Sequence, residues 1–153
     1  HIDKMIDDRN KGVGTFPVRA GQTFARYVNI AAIVMAYAVV IYLVVTGYFS
    51  AFMLLVLLAA QRALYAVMAL SKPRPDGPPQ GFEAFWPTWF SGFCFYHNRA
   101  FGGLFILGVL LDTLVRKLPI ELPLSVNWLG AITLGIGLVI AFVRMQMAKA
   151  KKA

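Results

Sequence analysis

Four long apolar stretches run along the chain, with segments rich in lysine, arginine, proline and glycine before the first and between the second and third. A helix needs about 20 consecutive apolar residues to cross the hydrocarbon of a bilayer, and residues 27–48, 49–70, 100–115 and 123–143 meet or approach that length. Each is predicted as a transmembrane helix, the third extending back through Phe95. Almost nothing polar separates the first two, which predicts a tight antiparallel hairpin. Residues 118–122, with Pro119 among them and Pro123 directly after, supply the turn of a second hairpin. The predicted fold class is an all-α polytopic membrane helical bundle of about four transmembrane helices. Its parts are an N-terminal polar loop (1–26), a first hairpin (27–71), a Pro- and aromatic-rich loop (72–98), a second hairpin (99–145) and a basic tail (146–153).

Orientation follows from lysine and arginine, because basic loops stay on the cytoplasmic side. Lys4, Arg9, Lys11, Arg19, Arg26, Lys72, Arg74, Arg99, Arg144, Lys149, Lys151 and Lys152 fall on one side of such a bundle, and Arg116 and Lys117 on the other. Both termini and the 72–98 loop are therefore assigned to the cytoplasm, and the chain to the inner (cytoplasmic) membrane of a cell. Composition agrees: 59% of residues are hydrophobic and 14% charged, where soluble domains carry about 25% charged residues. That excludes a soluble domain. The net charge of +8 fits basic loops facing anionic headgroups, and with no groove-reading motif beside it, nucleic acid is not a partner. Cys94 is the single cysteine, so an internal disulfide and a cysteine-based zinc cluster are excluded.

The 72–98 loop begins with prolines and glycines and continues with dense aromatics. Trp86, Trp89, Phe90 and Tyr96 suit the headgroup region, where rings are half-buried and their polar atoms wetted. They read as an aromatic belt anchoring the third span, or as a groove for a lipid or isoprenoid tail.

Chemistry concentrates before the first span. Asp3 and Asp7 are four apart, on one face of a helix if one forms, and Asp8 follows. Such carboxylates suit Mg²⁺, a hard cation that keeps waters or substrate phosphates in its other positions. Lys4, Arg9, Lys11 and Arg19 can neutralise a phosphate ester, and Gly12 and Gly14 would let backbone amides approach it. The bland alternative is a solvated face of mixed charge.

The run Asp8-Arg9-Asn10-Lys11-Gly12-Val13-Gly14-Thr15-Phe16-Pro17-Val18-Arg19-Ala20-Gly21 resembles the second aspartate-rich motif of the UbiA superfamily of intramembrane prenyltransferases. There an Asp-Arg pair is followed by Gly, Ser or Thr, Pro-Val and a closing Gly that leads into a membrane helix. The resemblance implies an all-helical bundle whose cavity binds an isoprenyl diphosphate through Mg²⁺ held by two such motifs. The prenyl group passes to a lipophilic acceptor: a quinone ring, chlorophyllide, carotenoid or glycerol lipid. It implies Asp3, Asp7 and Asp8 as metal ligands and Arg9, Lys11 and Arg19 as diphosphate ligands. It also implies that this is the C-terminal part of such an enzyme, inactive alone, because the family's first motif lies several helices upstream. At the family's acidic positions four and seven before the pair stand Lys4 and His1. This favours the competing reading, a non-catalytic transmembrane accessory subunit of a larger membrane complex that fills lipid or pigment space.

Polar residues within the spans complete the candidates. Arg62 lies roughly 12 Å from the cytoplasmic end of the second span at 1.5 Å per residue, either turned inward to an acidic group or anionic head, or snorkelling. His97, Asn98 and Arg99 are expected at the start of the third span, as an interfacial cap, as ligands for a diphosphate or acceptor headgroup, or, for His97, as a haem or chlorophyll ligand. Asp112 and Arg116, four apart on a helix, are expected to satisfy each other. Glycines of the third and fourth spans allow close helix approach.

Overall fold

The computed structural model of the chain describes residues 2–117, and every element among them is helical. A 3-10 turn (Ile2–Lys4) leads into α1 (Met5–Asn10) and α2 (Phe16–Ala20). The long α3 (Gln22–Val45) follows, then a 3-10 segment (Ala51–Ala59) continuous with α4 (Ala60–Ser71), a 3-10 turn (Glu83–Phe85) and α5 (Trp89–Lys117). Three helices are long and apolar enough to cross a membrane: Gln22–Val45, Ala51–Ser71 and Trp89–Lys117. They correspond to the first three predicted spans. The fourth predicted span, its turn and the basic tail lie outside the described residues. Ile106 and Leu110 of α5 are each 62% exposed and Met35 of α3 equally so, outward apolar side chains of the kind that lipid, not water, accommodates.

The N-terminal loop is more ordered than expected. Helix α1 ends in a Schellman motif: the Gly12 N–H donates to the Arg9 carbonyl and the Val13 N–H to the Asp8 carbonyl, with Gly12 at φ +70°. Thr15 takes the N-cap position of α2, and Pro17 sits in its first turn, where a missing N–H is harmless. The third span also differs, since α5 starts at Trp89, ahead of the Phe95 to which the expected span extends back. Trp89, Phe90, Phe93 and His97 are all buried, a helical spacing that gives the aromatic stretch one inward face. At 29 residues α5 exceeds the roughly 20 needed to cross hydrocarbon, so its aromatic first turns are free to lie at the headgroups.

The chain divides into two compact units. In the first (His1–Ala38 with Ala59–Ala100) the core is Ile33, Ala63, Ala66, Ala69, Leu70, Trp89, Phe90 and Phe93. Alanines at three-residue spacing on α4 let its neighbours approach closely, the packing that replaces hydrophobic drive in lipid. Here the start of α3 meets the end of α4, where buried Arg26 donates to the Lys72 carbonyl. A cation at a helix C-terminus has the favourable sign for the helix dipole. Phe82 and Phe85 fold back on α5, Phe85 stacked on Phe93 at 4.1 Å between centroids. Glu83 fixes that loop by accepting from the Gly81 N–H at 2.9 Å. Its own backbone N–H and then that of Gly81 hold its carboxyl below the usual range.

In the second unit (Val39–Leu58 with 101 onward) Met53 and Val56 are fully buried. Gly108 of α5 faces the backbone of Phe52 and Met53 so closely that a Cβ would stand 3.1 Å from the Phe52 carbonyl oxygen. The expected Asp112–Arg116 pair forms at 2.9 Å. Asp112 also accepts from the Ser50 N–H at 2.6 Å, and Arg116 donates to the Tyr48 carbonyl at 2.5 Å. The pair thus clamps the turn that leads into the Ala51–Ala59 segment.

Candidate functional site

Within the first unit a cavity of about 240 Å³ is lined by Ile2, Phe16 and Pro17 from the N-terminal segment, Ala25 and Asn29 of α3, and Phe90, Ser91 and Cys94 of α5. The N-terminal segment is positioned by three hydrogen bonds. Asp3 accepts from the Phe90 N–H at 3.0 Å and the Ser91 N–H at 2.8 Å, and its own carbonyl accepts from Arg74 at 3.4 Å. A carboxylate on the first N–H groups of a helix satisfies donors with no partner inside the helix and meets the positive end of its dipole. Asn29, in the lining, donates its amide to the Ala25 carbonyl at 2.8 Å.

Asp3 lies in the 3-10 turn that runs into α1, and its carboxylate is taken up by the start of α5. Asp7 is exposed, and half-buried Asp8 accepts from the Thr15 hydroxyl at 3.2 Å. Among the described residues no three His, Cys, Asp or Glu side chains stand together to hold a metal ion.

Arg9, Lys11 and Arg19 are all exposed on the same segment. Gly14 makes room for Arg19: a Cβ there would lie 2.9 Å from Arg19 Nε. The backbone N–H groups of Gly12 and Val13 already close the end of α1, so the expected amide approach to a phosphate at Gly12 is not available.

No family model, curated protein or solved structure matches the chain. The site is therefore defined by its own geometry.

His97, Asn98 and Arg99 sit more than two turns inside α5, not at its start, because the helix begins at Trp89. His97 is 1% exposed and its Nε2 is 3.1 Å from the Tyr37 hydroxyl of α3. Asn98 and Arg99 are exposed, with the Arg99 guanidinium 5.7 Å from the Phe95 ring centre. Arg62 lies over the Tyr96 ring at 4.2 Å. Sequence reasoning missed the capping by Asp3, the buried Arg26 and the Tyr37–His97 bond. The first joins residues 87 apart and leaves no local signal. His97 had one, since it continues the buried spacing of Trp89, Phe90 and Phe93.

Proposed function

We propose that this chain is the C-terminal part of a UbiA-type intramembrane prenyltransferase, moving an isoprenyl group from its diphosphate to a lipophilic acceptor in the inner membrane, with both ends of the chain in the cytoplasm. The observation that carries the reading is the cavity between the Asp8–Gly21 stretch, through Phe16 and Pro17, and the first turns of α3 and α5. A pocket that is apolar below and bordered by a segment bearing Asp7, Asp8, Arg9, Lys11 and Arg19 suits a molecule with a hydrocarbon body and an anionic head. In this reading Arg9, Lys11 and Arg19 bind the diphosphate, where negative charge develops as the allylic bond ionises. Mg²⁺, held by Asp7 and Asp8, would neutralise the leaving diphosphate.

The test is transfer of labelled isoprenyl diphosphate into solvent-extractable lipid by membranes containing the natural full-length protein. Transfer should require Mg²⁺ and fall at least a hundredfold in Asp8→Asn, the scale of losing one electrostatic contact to developing charge. Transfer that persists unchanged in Asp8→Asn would refute the reading. The accessory-subunit reading is favoured by one observation, that both Asp3 oxygens already serve α5. Its mark is co-purification in a stable complex with no transfer in any preparation.

A further inference from the structure

Arg62 is a charged side chain within a span, about 13 Å before the end of α4 at 1.5 Å per residue, and such a residue requires a partner. Among the described residues no carboxylate pairs with it. Its guanidinium carbon instead stands 4.2 Å from the ring centre of Tyr96, a residue 40% exposed whose ring makes an edge contact with Phe85 of the aromatic loop. The loop reaches down α5 to this level, so the neighbourhood is that of an interface. Three residues further along α5 stands Arg99, its guanidinium 5.7 Å from the ring centre of Phe95, a residue 62% exposed. The i, i+3 spacing puts Tyr96 and Arg99 on neighbouring positions of one helix face, with Arg62 against the first of them.

We propose that Arg62, Tyr96 and Arg99 hold the phosphate of an anionic phospholipid, with its acyl chains along the exposed rings of α5. Guanidinium donors match phosphate oxygens in a fork geometry, and the delocalised cation is weakly enough hydrated to do so half-buried. Tyr96 supplies a hydroxyl donor and, by its ring face, orients Arg62. A free phosphate would satisfy the charges but leave the rings uncovered. None of these residues lines the cavity assigned to prenyl transfer, so this site stands or falls independently of that assignment.

The experiment counts lipid retained by the purified protein in native mass spectrometry after release from nanodiscs of phosphatidylcholine with or without phosphatidylglycerol. Phosphatidylglycerol should be retained about tenfold over phosphatidylcholine, whose phosphate offers the same acceptor oxygens but whose choline cation cancels the lipid's net charge and is repelled by the two guanidinium groups, a difference of about 1.4 kcal/mol. Arg62→Gln should remove most of that preference and Arg62→Lys part of it, while Lys117→Gln at the far end of α5 leaves it intact. Equal retention of the two lipids by the unaltered protein would overturn the proposal without recourse to any variant. Displacement of phosphatidylglycerol by millimolar inorganic phosphate would overturn it in favour of a free-anion site.

Discussion

Replacing Asp3 by alanine tests how the N-terminal segment is held. Its carboxylate is the acceptor for two N–H groups that open α5, at 3.0 and 2.8 Å. Losing a helix N-cap costs about 0.5–2 kcal/mol, and losing a negative charge at the positive end of the dipole about 0.3–1 kcal/mol. Asp3 is half-buried, so water recovers part of this, and about 2 kcal/mol is expected. That is about thirtyfold in the local opening equilibrium. Amide hydrogen exchange in micelles reads it directly: Phe90 and Ser91 should exchange about thirtyfold faster in Asp3→Ala, with residues 101–110 of α5 unchanged. Asp3→Asn keeps one oxygen acceptor and loses the charge, and should cost about half as much. Unchanged exchange at Phe90 and Ser91 would refute the capping role. If chelation of divalent cations alone reproduced the effect, the carboxylate would be acting through a metal ion.

Three further outcomes follow from the same contacts. Gly108→Ala should lower the thermal midpoint in detergent by the equivalent of about 1–3 kcal/mol, because the new methyl meets Met53 Sδ at 3.0 Å and the less yielding Met53 Cα at 3.2 Å, whereas Gly103→Ala, with nothing within 4 Å, should raise it by the equivalent of about 0.5–1 kcal/mol, since alanine is the better helix former. Asp112→Ala strands the Ser50 N–H and should destabilise by about 1–3 kcal/mol in denaturant titration, with little added by loss of the Arg116 pair because that side chain is 53% exposed. The Glu83 carboxyl, held below its usual range by the Glu83 and Gly81 N–H groups, stabilises its loop above the ordinary carboxylate pKa and ceases to as pH falls through the lowered value. Exchange at Gly81, corrected for intrinsic rates, should be flat from pH 6 to 8, accelerate only in acid, and lose that acid step in Glu83→Gln.

The spans were legible because bilayer thickness imposes a length that few other structures need, and residues 27–48 and 49–70 carry no other periodicity strong enough to compete. The start of α5 was not. Trp, Phe and Tyr between 85 and 96 satisfy both an interfacial loop and an amphipathic helix, and the choice is made by Asp3 reaching the first N–H groups from 87 residues away. Asp112 and Arg116 were legible as a pair because their contact is local, while Ser50 and Tyr48, which they also bind, were not. At the site, the exposed cations Arg9, Lys11 and Arg19 could be named from sequence. That Asp3 meets a helix end while Asp7 is exposed depends on the long-range approach of α5 to the N-terminal turn, which local propensity does not encode. The sequence left Arg62 balanced between two roles, and the Tyr96 ring 4.2 Å from its guanidinium comes from a residue 34 positions away, a contact with no local signal.

The most direct test of the account is equilibrium binding of a labelled isoprenyl diphosphate to the natural protein in nanodiscs, with Mg²⁺ and with chelator. The account predicts saturable binding that requires Mg²⁺, weakens about tenfold in Arg19→Gln and is lost in Asp8→Asn. Binding that is absent, or equal in the two variants and the unaltered protein, would contradict the assignment of the Asp8–Gly21 stretch as a diphosphate site.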